Sequence, residues 1–91
     1  DLRGEGGEGM TVVAGLIVET VPGAEVRVAA RLVSEPGLEL TGSDGDRRIA
    51  AVWTGRSGAE LESLGERLLA TDPEVLGVFP TFVGTDADGA P

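Results

Sequence analysis

Hydrophobic and polar positions along this chain change period from segment to segment, and the changes predict its elements. Thr11 to Glu19 (TVVAGLIVE) is apolar on both alternating sides and rich in β-branched residues, the pattern of a strand at the centre of a sheet. Val21 to Glu35 begins with Pro22, which suits the first turn of a helix, and runs into Pro36-Gly37, a helix stop. Within it Val21, Ala24, Val28 and Leu32 recur at spacings of a helical turn and predict an inner stripe, with Arg27, Arg31 and Glu35 outside. Val26, Ala29, Ala30 and Val33 add a second apolar stripe to the same helix. Leu38 to Thr41 alternates as a short strand, Gly42 to Asp46 (GSDGD) is a turn cluster, and Arg47 to Thr54 is a further strand, so a β-hairpin is predicted. Ser57 followed by Glu60 reads as a capping box that opens a helix carrying Leu61, Leu64 and Leu68 on one face, and Asp72-Pro73 closes it. Val75 to Val83 is the last strand. Its Pro80 has no N–H to donate, which places it at a sheet edge.

The order β-α-β-β-α-β is the signature of the split βαβ, or ferredoxin-like, plait. The expected fold is therefore α+β, with an antiparallel sheet in the order 4-1-3-2 and both helices on one face. An all-apolar first strand belongs in the middle of that sheet and a proline-bearing fourth strand at its rim, so two separate features agree with the topology. Residues 10–84 form the expected single domain. Residues 1–9 (DLRGEGGEG) and 85–91 (TDADGAP) are acidic, small and poor in apolar surface, and are read as disordered tails.

Composition narrows the chemistry. Among 91 residues there is no Cys, His, Lys, Tyr, Asn or Gln, which removes disulfides, thiolate metal sites, the usual neutral-pH base and Schiff-base chemistry. An enzyme is not expected, nor a cofactor or a metal. No run approaches the roughly 18 apolar residues of a membrane-spanning helix, so membrane insertion is not expected. The net charge of −9 repels phosphate backbones and argues against nucleic acid as a partner, while it attracts basic peptides. Other functions of the fold fail on particular residues. A heavy-metal carrier needs two cysteines after the first strand, where Glu19, Thr20 and Val21 stand; an RNA-recognition module needs aromatic central strands and a basic face. An acylphosphatase needs an arginine loop after the first strand and an asparagine, and this chain has neither. An ACT-like or regulator-type domain binding a small ligand stays open, because such domains hold effectors with backbone groups at subunit interfaces.

Within Val13 to Leu40, AGLIVET is followed by a helix and then by SEPGLEL, and towards the end stands PEVLGVFPTFV. These segments resemble the NapD family of nitrate reductase maturation proteins, with its apolar first strand, its helix of like length, its Pro-Gly turn into the second strand and its closing G-V-L-x-V strand. The likeness spans Met10 to Val83 in length and order. It implies a cytoplasmic chaperone that binds the twin-arginine signal peptide of the catalytic subunit of periplasmic nitrate reductase and delays export until the cofactor is loaded. A monomer or weak homodimer is expected.

A peptide with a cationic start and an apolar stretch calls for an apolar platform edged by carboxylates. With both helices on one face, the opposite face of the sheet is open. Alternation from Leu16 and Val18 assigns Val13, Gly15, Ile17 and Glu19 to that face, with Glu39 and Thr41 beside them on the second strand. The third strand carries Ile49, Ala51 and Trp53 on one side and Arg48, Ala50, Val52 and Thr54 on the other. If Trp53 faces outward, it anchors the peptide together with Ile49 and Ala51; the alternative is that it packs beneath a helix. The expected site takes the first orientation.

Overall fold

The structure, a computed structural model, describes residues 10–87. Its elements are β1 (Met10–Thr20), α1 (Glu25–Leu32), β2 (Leu38–Ser43), β3 (Arg48–Gly55), α2 (Gly58–Thr71) and β4 (Val75–Ala87). They build an α+β fold with one four-stranded antiparallel sheet in the order β2-β3-β1-β4. Counted from the other edge this is the expected 4-1-3-2, and it is consistent with a ferredoxin-like plait. The all-apolar β1 is central and the proline-bearing β4 lies at an edge.

Both helices contribute to one core. Val28 and Leu32 of α1 and Leu61, Leu64 and Leu68 of α2 are buried with Val12, Ala14, Leu16 and Val18 of β1 and with Ile49, Ala51 and Trp53 of β3. Apolar area removed from water contributes roughly 25 cal/mol per Å², so this layer between helices and sheet is what holds a cysteine-free domain of this size together. The inner stripe of α1 is as expected at Ala24, Val28 and Leu32, with Val21 half-buried. Of the second stripe, Val26 (72%), Ala30 and Val33 (66%) are exposed, while Ala29 is half-buried against the core.

The α1 helix is shorter than the pattern predicts, and two Pro-Gly turns explain why. In Val21-Pro22-Gly23-Ala24 the Ala24 N–H donates to the Val21 carbonyl at 3.1 Å, and Gly23 has φ +82°. In Glu35-Pro36-Gly37-Leu38 the Leu38 N–H donates to the Glu35 carbonyl at 3.3 Å, and Gly37 has φ +78°. Proline followed by glycine at positive φ is what a type II turn requires. Pro22 thus makes a turn before the helix and does not open it. At the other end of the chain, Thr85, Asp86 and Ala87 pair with Val12, Thr11 and Met10 and lengthen β4, so these three residues are strand and not tail. The rest of the expected tails, residues 1–9 and 88–91, lies outside the described residues.

Candidate functional site

The face of the sheet turned away from the helices is laid out by the strand register. Residues directly opposite each other in an antiparallel pair point to the same side. One row across the sheet is Glu39, Val52, Gly15 and Phe82; the next is Gly42, Ala50, Ile17 and Phe79. These rows are flanked by Arg48, Glu19 and Gly77 on one side and by Thr54, Val13 and Gly84 on the other. The middle of the face is therefore apolar, with Glu39 at the β2 edge and the Glu19–Arg48 pair at one end.

Two aromatic rings dominate the β4 side. Phe79 is 51% and Phe82 54% exposed, large values for side chains of this type within a strand. Each ring lies over a glycine. A Cβ on Gly15 would collide with the Phe82 ring, 2.7 Å from Cδ2, and with Thr81 Oγ1 at 2.6 Å. A Cβ on Gly77 would collide with the Phe79 ring, 2.6 Å from Cε2. The glycines thus leave room for the rings close to the backbone, and about half of each ring's surface remains available to a ligand.

Of the expected site residues, Val13, Gly15, Ile17, Glu19 and Glu39 do lie on this face. Thr41 is exposed but sits at a bulge between Leu40 and Gly42, so that Gly42 and not Thr41 faces Ala50. Ile49, Ala51 and Trp53 belong to the opposite face. They pair with Val18, Leu16 and Ala14, the helix-facing side of β1, and Trp53 is only 4% exposed. The Trp53 ring lies over Gly55, where a Cβ would collide with it, and it belongs to the same buried cluster as Leu61, Leu64 and Leu68 of α2. The outward set of β3 is Arg48, Ala50, Val52 and Thr54.

Phe79 and Phe82 were not among the expected residues. Three positions apart, they would alternate onto opposite faces in a regular strand. The bulge at Thr81, where Gly15 and Leu16 pair with Phe82 and Pro80, resets the alternation and brings both rings to one face. Pro80 marks the place of that irregularity in the sequence, but alternation alone does not reveal it.

A second charged cluster lies away from this face. Arg27 donates to Glu74 at 2.7 Å, and Arg31 donates to Asp72 and Glu74 at 2.9 Å each. The two guanidiniums hold the Glu74 carboxyl down at about 2. Arg31, Leu32, Leu68, Asp72 and Glu74 line a hollow of about 400 Å³ between the helices. Its carboxylates are already engaged by arginines, and its role is to tie α1 to the segment leading into β4. In the β2–β3 turn Asp44 Oδ1 accepts from the N–H groups of Asp46, Arg47 and Arg48, each at 2.9 Å, which lowers its pKa to about 2. Among the described residues no group of three or more acidic, His or Cys side chains is placed to hold a metal ion, and no helix is long and apolar enough to cross a membrane.

No family model, curated protein or solved structure matches the chain.

Proposed function

We propose that this domain is a peptide-binding chaperone of the NapD kind, a ferredoxin-like plait that takes an apolar, cationic-tipped peptide onto its open sheet face. The client that the resemblance implies is the twin-arginine signal peptide of the periplasmic nitrate reductase catalytic subunit, held in the cytoplasm until the cofactor is in place. The observation that carries the reading is the open face itself: Phe79 and Phe82 are half exposed beside Val13, Ile17 and Val52, and Glu19 and Glu39 bound that surface. Contiguous apolar surface rimmed by polar groups marks an interaction site, and large aromatic side chains contribute most of the binding energy in such sites. The peptide's apolar stretch would cover the rings. Its arginines would meet carboxylates in the field of a molecule with net charge −9, which favours encounter with a cation.

Calorimetric titration with the signal peptide, beside a copy with both arginines changed to glutamine, tests this. Binding is expected for the first and a large loss for the second. Absence of heat with either peptide would sink the reading.

A further inference from the structure

The strand β4 is an edge strand, and among the described residues nothing pairs with its outer side. Its segment Thr81 to Thr85 is exposed throughout. Such an edge offers unpaired N–H and C=O groups to an incoming chain. Natural edges are blunted by charges or proline; here Pro80 protects one position, and the next five carry no charge.

The two sides of this edge differ. On the open face lie Phe79 and Phe82. On the helix side, a groove of about 420 Å³ runs between β4 and α2, with Leu61 and Val78 among its lining residues and Val83 on the strand side. Glu62 and Glu66, one helical turn apart and exposed, also line it, and no arginine does. Gly65 keeps it wide: a Cβ there would meet only Val78 Cβ, at 3.9 Å, so that a longer side chain would extend into the hollow. A hollow of this size is within the range that accepts a ligand's side chains.

From the open edge, the aromatic side and the acid-lined groove together, we infer that the peptide binds in extended form as a fifth strand on β4. Side chains of a strand alternate between faces. One alternate set then covers Phe79 and Phe82, while the other enters the α2–β4 groove, an aliphatic side chain over Leu61 and Val78 and a cationic one against Glu62 and Glu66. Backbone hydrogen bonds along Thr81 to Thr85 supply affinity and the two faces supply selectivity, the division of labour seen when a peptide adds to a sheet edge. This inference rests on the peptide-binding reading above and specifies its geometry.

The test uses the intact chain and the same synthetic signal peptide, with three changes: Gly65→Leu, the double variant Glu62→Gln with Glu66→Gln, and a series of peptides N-methylated at one backbone position each. Gly65→Leu is expected to weaken binding at least about tenfold by filling the groove. The double variant is expected to weaken it by a smaller factor and to reduce its salt dependence, and circular dichroism of each variant confirms that it is folded. N-methylation is expected to weaken binding at alternate peptide positions and to leave the intervening ones unaffected. Full affinity in both groove variants together with an N-methyl profile lacking the alternation would overturn the edge-strand geometry. If Val52→Glu on the open face then abolishes binding, the peptide-binding reading survives without it. No binding to the unaltered chain would remove both.

Discussion

At the residue scale, the contrast between Trp53 and the two phenylalanines divides stability from recognition. Trp53 sits in the buried cluster with Leu61, Leu64 and Leu68 of α2 and is 4% exposed, so its ring is part of the core. Replacing it with alanine is expected to cost about 3–5 kcal/mol, seen as a lower urea midpoint, because the cavity left between β3 and α2 cannot close fully. Phe79 and Phe82 present about half their surface to water, and an ordinary core role does not account for that. The sequence offered one tryptophan as the natural anchor for a peptide; the register of β3 assigns that ring to the core instead. The glycines opposite the exposed rings were legible as residues but not as floors. A glycine acquires that meaning only when a neighbouring strand lays an aromatic ring over it.

At the element scale, local signals in the sequence translated well where the partners are close in the chain. Ser57 caps α2 by accepting from the Glu60 N–H at 3.2 Å, as its spacing predicts. The return bond of the capping box is shifted by one residue: the Glu60 carboxylate accepts from Arg56 N–H at 2.9 Å. Ser57→Ala is expected to destabilise the domain by about 1 kcal/mol in denaturant unfolding, since one N–H of the first turn loses its partner. The helix α1 shows the limit of such reading. Its proline and glycine signals were correct as punctuation, yet the same dipeptide that resembles a helix start in sequence forms a type II turn, because Gly23 adopts positive φ and its N–H is drawn to the Asp46 carbonyl at 3.1 Å across the sheet end.

At the scale of the whole molecule, charge links pH to stability. Glu74 and Asp44 are both held near 2, Glu74 chiefly by hydrogen bonds from Arg27 and Arg31 and Asp44 chiefly by backbone N–H groups. Carboxyls whose pKa is lower in the folded chain contribute stability above their ordinary values, near 4.5 for Glu74 and 3.8 for Asp44, and lose it as pH falls through the folded value near 2. Protonation of the excess acids also relieves repulsion in a chain of net charge −9, which acts the other way. Comparing Glu74→Gln with the unaltered chain separates the two. The melting temperature of the unaltered chain is expected to exceed that of the variant at pH 6, and the difference is expected to shrink between pH 4.5 and pH 2. Added salt should narrow the gap at pH 6, since both arginines are about half exposed.

The sequence by itself determined the order of the elements, the central place of β1, the edge place of β4, the buried stripe of α1 and the cap of α2. Each of these follows from periodicity, backbone chemistry or residues a few positions apart. Tertiary structure decided which side of β3 faces the helices, that Gly42 replaces Thr41 on the open face, and that Phe79 and Phe82 share one surface. The physical reason is that a period of two reads the same when a strand is turned over, and one bulge residue inverts every side chain beyond it. Pairing with β1 breaks that symmetry, and the candidate site consists of the residues this pairing leaves outside the core.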